Sequence, residues 1–216
     1  MKRGVTLIEL IFVIVVIGIL SAVIAPSFTR PTLSEAANQI VSHIRYTQHL
    51  AMVNNKFDPI SEFWYQTRWQ LDFRDPPGRA FYTIYQDLNR NGSASTVVGN
   101  NEIAKKPSNP RQLLTALSAN SAVNSEEMIL SEKYGILDIS FSPSCSFSGS
   151  QRISFDYLGR PLFGNPTALE TMHRDNFGVT GVRLIRTQCI IELVNSDGNI
   201  SIAIEPETGY THVLSN

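Results

Sequence analysis

Residues 4–26 read GVTLIELIFVIVVIGILSAVIAP, and they follow the short basic start Met1-Lys2-Arg3. Residues 10–25 of this stretch include fourteen apolar residues among sixteen and carry no charge. A helix over Val5–Ala25 would be ~31 Å long, which matches the ~30 Å hydrocarbon core of a bilayer. Pro26 then ends or kinks the helix at its far side. The stretch therefore predicts one membrane-spanning helix.

The rest of the chain has a different composition. The protein has 216 residues, of which 43% are hydrophobic and 17% charged, and its formal net charge is −1. Outside the apolar run the sequence is polar and strand-like, and it is rich in Ser, Asn, Thr and Gly. This excludes an intrinsically disordered chain, a coiled coil and a polytopic membrane protein. The near-neutral charge provides no overall basic field for nucleic acid.

Glu9 distinguishes between the kinds of protein that carry such an apolar run. A cleavable signal peptide is disfavoured because Glu9 stands where the apolar core should begin, and because Pro26 would hinder cleavage after Ala25. A simple anchor explains the length of the run but not the carboxylate, which costs about 2–3 kcal/mol inside a membrane. Such a group is retained when a cation pairs with it, so a third kind of protein is needed.

The N-terminus contains the segment Gly4-Val5-Thr6-Leu7-Ile8-Glu9, followed by Gly18 and Pro26. In these features it resembles the type IV pilins and pseudopilins. The resemblance implies that prepilin peptidase cuts between Gly4 and Val5 and that Val5 is then N-methylated. Glu9 becomes the fifth mature residue, where the family has its glutamate. In a fibre, Glu9 would pair with the methylated Val5 amine of the neighbouring subunit. The family usually has Phe where Val5 stands.

The residues after the apolar run predict an α+β head. Helical spacing of apolar residues indicates an amphipathic helix to about residue 54, with a stripe of Ala36, Ile40, Ile44 and Ala51. Strand-like patterns follow at Glu62–Phe73, Arg79–Asp87, Ile136–Phe141, Arg152–Asp156, Val182–Val194 and Ile200–Glu205. We expect an antiparallel sheet whose apolar face the helix covers, with residues 93–126 as an insertion between strands.

These patterns divide the chain into a leader at residues 1–4, a transmembrane and assembly helix at 5–26 and a periplasmic head at 27–216. Two short segments of the head, Ile153–Pro161 and Ile204–Tyr210, resemble H-type minor pseudopilins of type II secretion. The same family group includes the FimT-type minor pilins. The whole fold is therefore expected to be pilin-like.

The two cysteines, Cys145 and Cys189, lie in the part expected in the oxidising periplasm. One disulfide is the simplest arrangement there, and two buried free thiols are the alternative. A disulfide closing this loop would stabilise the head by about 3–4 kcal/mol on the chain-entropy description. Two cysteines are too few for a structural zinc site.

Residues 87–92, Asp-Leu-Asn-Arg-Asn-Gly, copy the opening of a calcium-binding loop. Val98 stands where the twelfth position requires an acidic residue, although Glu102 could close a non-standard site. The same residues also form a good polar turn, and we predict the turn without a metal. His43 and His49 do not share a helix face, so they are interpreted as packing or solvated residues rather than metal ligands.

The resemblance predicts a structural subunit. The sequence also contains no catalytic or cofactor motif, so we do not expect an enzyme. Its expected place is the bacterial inner membrane, crossed once, with the head in the periplasm and incorporation into a pilus or pseudopilus. Expected partners are other pilin or pseudopilin subunits, prepilin peptidase and the assembly platform proteins. The alternative is a DNA-uptake (competence) minor pilin. Residues 190–216 carry four acidic residues and no Lys or Arg, so we do not expect nucleic acid there.

Overall fold

The computed structural model describes residues 6–24, 32–95, 101–147, 149–168 and 183–214. The chain divides into two units, Met1–Thr32 and Leu33–Asn216. Helix α1, Leu7–Ile24, belongs to the first unit and lies within the expected span at 5–26. Among the described residues, no helix combines the length and the hydropathy that a membrane crossing requires.

Helix α2, Thr32–Val53, opens the second unit and provides its helical layer. It begins directly after Pro31, and a proline is well tolerated immediately before or at the first turn of a helix. The whole predicted stripe of Ala36, Ile40, Ile44 and Ala51 is buried. The opposite face carries exposed polar residues such as His49, as expected for a helix packed on one side.

The first antiparallel sheet has four strands in the order β2-β1-β6-β7. Its strands are β1 Trp69–Arg74, β2 Phe81–Gln86, β6 Arg152–Phe155 and β7 Pro161–Phe163. Strand β2 is buried along its whole length. Its outer edge is covered because Ile84 N–H donates to Leu114 and the carbonyl of Ile84 accepts from Ala104. The segment around residues 102–114 thus satisfies an edge that would otherwise be free to pair.

The second antiparallel sheet also has four strands, in the order β10-β9-β8-β5. Its strands are β5 Asp138–Phe141, β8 Cys189–Asn195, β9 Gly198–Ile204 and β10 Thr211–Leu214. In β8 the buried positions alternate, with Cys189, Ile191 and Leu193 facing the core. Outside the two sheets, the described residues also form the short hairpin of β3 Lys105–Lys106 with β4 Asn109–Leu113, and helix α3, Leu130–Tyr134. Short 3₁₀ segments lie at Trp64–Thr67, Ser121–Val123, Glu126–Met128 and Pro166–Ala168.

One apolar core contains residues from α2 and from both sheets. Helix α2 is also held by hydrogen bonds to distant loops and strands. Arg45 donates to the carbonyl of Thr211 at 2.7 Å, and Tyr46 donates to that of Lys105 at 3.2 Å. Gln48 donates to the carbonyls of Gly159 and Thr208. These bonds connect α2 to the β3–β4 hairpin, to the turn after β6 and to the chain around the start of β10.

Three sequence expectations differ from the observed strands. Residues 62–68 are not strand, because Trp64–Thr67 form a 3₁₀ turn that is closed by Thr67 Oγ1 donating to the carbonyl of Trp64. The single strand expected at Val182–Val194 is divided: residues 183–185 bond to β7 of the first sheet, whereas β8 belongs to the second. This division explains why two sheets form where one was expected. The insertion at 93–126 contains the β3–β4 hairpin.

Candidate functional site

The N-terminal end of α1 holds the residues expected to matter for processing and assembly. Thr6 precedes the helix, and its backbone N–H and its hydroxyl donate to Glu9 Oε2 at 3.2 Å and 3.3 Å. The Glu9 carboxylate thus forms the glutamate half of a capping box, in which it reaches back to the backbone N–H of the residue before the helix. Gly4 and Val5, the expected cleavage residues, lie outside the described residues, as does Pro26.

The side chains of α1 are exposed throughout residues 6–21. Leu7 and Ile8 next to Glu9 are each 77% exposed, and the large apolar residues from Leu10 to Leu20 are 37% to 69% exposed. Glu9 is the only charged side chain in the helix. A contiguous exposed apolar surface of this extent is typical of an interaction site.

The two cysteines are joined in a disulfide, Cys145–Cys189, and both are fully buried. It links the loop after β5 to the first residue of β8. Ser142 supports the same junction, because its backbone N–H donates to the carbonyl of Ile190 and its hydroxyl accepts from the N–H of Ile190, each at 2.9 Å. The bridge therefore extends the β5–β8 pairing beyond the end of β5.

The 87–92 segment is a closed polar turn. Asp87 accepts backbone N–H groups with both carboxylate oxygens, from Asn91 at 3.1 Å and from Gly92 at 2.6 Å. Glu102 also contacts this region, since its two oxygens accept from the N–H groups of Asn89 and Ser95. The oxygens that could serve as calcium ligands are thus engaged with backbone donors.

Burial raises the pKa of Asp87, and the nearby charge of Glu102 acts in the same direction, while the N–H donors of Gly92 and Asn91 oppose both. Within the part of the chain that the structure describes, no three His, Cys, Asp or Glu residues are grouped to hold a metal ion. The arrangement can close a turn with protein donors alone, and the prediction of a metal-free turn remains to be measured.

His43 is a buried residue whose role sequence patterns do not reveal. Its Nε2 lies 2.8 Å from the Gln39 amide nitrogen and its Nδ1 lies 2.6 Å from the Tyr82 hydroxyl. Because an amide nitrogen only donates, Nε2 accepts and Nδ1 donates to Tyr82. Burial lowers the pKa of His43 to about 4, a fall that Glu127 opposes and Lys106 reinforces. His43 is therefore a neutral packing residue with both nitrogens engaged.

A surface cavity of about 380 Å³ opens beside His43. Its walls include Lys106 and Glu127, which form a salt bridge at 2.7 Å. The imidazole connects α2 to Tyr82 in β2, and the Lys106–Glu127 ion pair connects the β3–β4 hairpin to the segment Glu126–Met128. They form no nucleophile–base pair of the kind that acid–base or covalent catalysis uses.

Comparison with known proteins agrees with the location of the candidate site at the N-terminus. The family described as the prokaryotic N-terminal methylation motif matches residues 1–25, a region that includes Gly4, Val5 and Glu9. No curated protein and no solved structure matches the chain. The motif indicates a type IV pilin-like N-terminus, and it implies processing by prepilin peptidase and assembly with other pilins. It also suggests that assembly is membrane-anchored.

Proposed function

We propose that this protein is a minor pilin-like structural subunit, without catalytic activity, of a type II secretion pseudopilus or a type IV pilus. Prepilin peptidase would remove residues 1–4 and Val5 would be methylated. The apolar helix would hold the subunit in the inner membrane until assembly, and the disulfide-linked head would stand in the periplasm. The observation that carries this proposal is the methylation motif at residues 1–25.

The geometry of Glu9 supports the assembly step. Its carboxylate reaches the backbone N–H of Thr6, one residue from the amine that cleavage would create at Val5. A carboxylate held at that point is suited to bind an ammonium group, its own or that of a neighbouring subunit. The exposed apolar surface around Glu9 would pack on the same surface of other subunits, where an unpaired charge is costly.

Basic residues are few in the C-terminal part of the head. Residues 183–214 contain two arginines, of which Arg186 is exposed and Arg183 is buried. Arg183 is 4% exposed, and its guanidinium lies 3.6 Å from the centre of the Phe147 ring. Cations that contact DNA must reach phosphates at the surface, so one exposed arginine gives little support to a DNA-binding patch in these residues. We therefore propose assembly rather than DNA binding.

Intact mass spectrometry of the full chain tests the proposal. The protein should be produced in cells with and without an active prepilin peptidase. With the peptidase, the mass should correspond to a chain that begins at N-methylated Val5, and without it residues 1–4 should remain. Gly4→Leu should block the change in mass, whereas Gly18→Leu, in the middle of α1, should not. Retention of residues 1–4 in the presence of the peptidase, or cleavage after Ala25, would contradict the proposal.

A further inference from the structure

Both tryptophans of the chain, Trp64 and Trp69, line one small surface pocket of the head. The pocket has a volume of about 10 Å³, which is room for one water-sized group. Its walls also contain Tyr157 and two cations, Lys56 and Arg68. Among the described residues, no acidic side chain lines it. The pocket is therefore aromatic and positively charged.

The polar atoms of this pocket include a buried donor without an acceptor. Trp69 is only 6% exposed, and its indole N–H has no hydrogen-bond partner among the described residues. An indole nitrogen and a lysine ammonium can donate but not accept. Lys56 is partly buried at the same pocket, and this burial lowers the pKa of its ammonium group. A group that accepts hydrogen bonds and carries negative charge would satisfy both.

Arg68 lies between charges of both signs. Burial lowers the pKa of Arg68 to about 10, Asp156 opposes this fall and Arg160 adds to it. Asp156 also accepts from Arg160 Nε at 2.7 Å and from the backbone N–H of Leu158 at 3.0 Å. Lys56 lines the same pocket as Arg68, so two cationic side chains border it. This charge favours a negatively charged ligand group.

Exposed apolar side chains lie near the pocket. The ring of Phe57 lies 5.3 Å from that of Trp64, and the ring of Tyr157 lies 6.4 Å from it. Phe57 and Leu158, next to Tyr157 in the chain, are each 58% exposed, and Ile60 in the loop between Phe57 and Trp64 is 94% exposed. Large apolar side chains grouped at a surface around a polar centre are typical of protein-binding sites.

We propose that this pocket docks an acidic side chain, Asp or Glu, that a partner protein presents between apolar residues. The carboxylate would accept hydrogen bonds from Lys56 and Trp69, and its apolar neighbours would cover the rim formed by Phe57, Tyr157 and Leu158. One carboxylate oxygen is about the size of a water molecule, so it can enter the pocket while the rest of the side chain stays at its mouth. An aromatic side chain is too large to enter. The inference concerns the head alone and does not depend on how the N-terminus is processed.

Tryptophan emission of the full chain in detergent micelles tests the proposal, because the only two tryptophans line the pocket. The probe is the peptide acetyl-Phe-Asp-Phe-amide, and its matched control is acetyl-Phe-Asn-Phe-amide, which has the same shape without the charge. The acidic peptide should change the emission saturably and bind at least about tenfold more tightly than the neutral one. Lys56→Gln should remove most of this difference. Lys105→Gln, which changes an exposed lysine away from the pocket, should leave it intact.

Three results would overturn the proposal. One is equal binding of the two peptides, which would show an apolar surface that does not recognise charge. Another is the absence of any saturable signal with the acidic peptide up to about 1 mM. The third is tighter binding of acetyl-Phe-Phe with a free C-terminal carboxylate, which would assign the pocket to chain ends instead of acidic side chains. An unchanged preference in Lys56→Gln would remove Lys56 from the site and count against the proposal as well.

Discussion

The side-chain nitrogen of Gln48 donates to the carbonyl oxygen of Gly159 at 2.8 Å, across 111 residues of sequence. The same nitrogen donates to the carbonyl of Thr208 at 2.7 Å. Two turns that contain glycine therefore close on one side chain of α2. A Cβ on Gly209 would lie 2.7 Å from Gln48 Nε2 and 2.9 Å from the carbonyl oxygen of Gly159, which leaves no room for it.

Gly209→Ala should therefore destabilise the head strongly. Gly209 has a φ of +64°, so alanine adds backbone strain to the steric conflict, and we expect a loss of at least about 3 kcal/mol. Gly78→Ala is the matched control, because Gly78 has a φ of +77° with nothing within 4 Å of the added Cβ, and it should cost about 1–2 kcal/mol. Urea unfolding followed by tryptophan emission measures both. Equal losses would mean that the contact around Gln48 is not tight.

Substitutions of Glu9 separate its two structural roles. Glu9→Leu removes both the cap on Thr6 and the charge, whereas Glu9→Gln keeps an acceptor for the Thr6 N–H and removes only the charge. Both variants should insert and be cleaved, and both should enter fibres poorly because the Val5 amine of a neighbour loses its partner. Cross-linking to the major subunit measures incorporation. Normal incorporation of Glu9→Gln would show that the capping role suffices and that no ion pair is needed.

The buried imidazole of His43 should make the head less stable in acid. Its pKa falls from 6.5 to about 4 on folding, so the unfolded chain binds this proton more tightly than the folded head. The contribution of the neutral imidazole to the free energy of unfolding is fully present above pH 6.5 and is lost as the pH falls towards 4. At pH 4.5 the loss should be about 2–3 kcal/mol. His43→Gln should remove this part of the loss between pH 7 and 4.5. His49→Gln, which changes an exposed histidine of the same helix, should not.

Unfolding curves of these two variants and the parent at both pH values measure the effect. The comparison uses the difference in the free energy of unfolding between the two pH values for each protein. Loss of the hydrogen bond to Tyr82 lowers stability equally at both pH values, so it cancels in this difference. A parent and a His43→Gln variant with the same pH dependence would show that the imidazole is protonated without penalty in the folded head.

Removal of the disulfide should weaken the head without changing its strand pairing. The bridge closes a loop with a sequence separation of 44, for which the chain-entropy description gives about 3–4 kcal/mol. The double variant Cys145→Ala/Cys189→Ala should lose about this much free energy of unfolding. Protein exported to the periplasm should not react with a thiol reagent under denaturing conditions unless it is first reduced. Labelling of both cysteines without reduction would contradict the pairing.

Calcium should not stabilise the turn at residues 87–92. Asp87→Ala removes the acceptor of two backbone N–H groups and should cost about 1–3 kcal/mol, whether calcium or a chelator is present. Thermal unfolding of the parent and the variant in both conditions measures this. A rise in melting temperature with calcium that is lost in Asp87→Ala would show that the loop binds the ion.

Local patterns predicted the features that depend on local chemistry. The apolar stripe of α2 could be predicted from the sequence because burial of one helix face places apolar residues such as Ile40 and Ile44 at helical spacing. The turn between β8 and β9 is also a local feature, because Asn195, Asp197 and Gly198 are turn-forming residues, and Asn195 pairs with Gly198 there. The N-terminal motif is also local, and it alone was recognised by comparison with a known family.

Features set by distant contacts could not be predicted in this way. The aromatic residues near Trp64 read as an alternating strand, but Trp64 packs edge-on against Phe57 and Tyr157, which favours a 3₁₀ turn there. The pocket around Trp69 depends on residues from α2 to the turn after β6, and no spacing in the sequence relates them. The hydrogen bonds of Gln48 join it to residues 111 and 160 positions away, and no sequence pattern around Gln48 indicates Gly159 or Thr208 as its partners.

The polar ties of α2 have a consequence for the order in which the chain becomes structured. Arg45 and Gln48 take their partners from Thr211 and Thr208, at sequence separations of 166 and 160, so an early helix depends on the last strand. Contacts of such long range form late, because a long loop must be closed first. In a chain that emerges from its N-terminus onwards, α2 would lack these partners until residues 208–211 had emerged. Formation of the polar contacts of Arg45 and Gln48 therefore requires the chain up to Thr211.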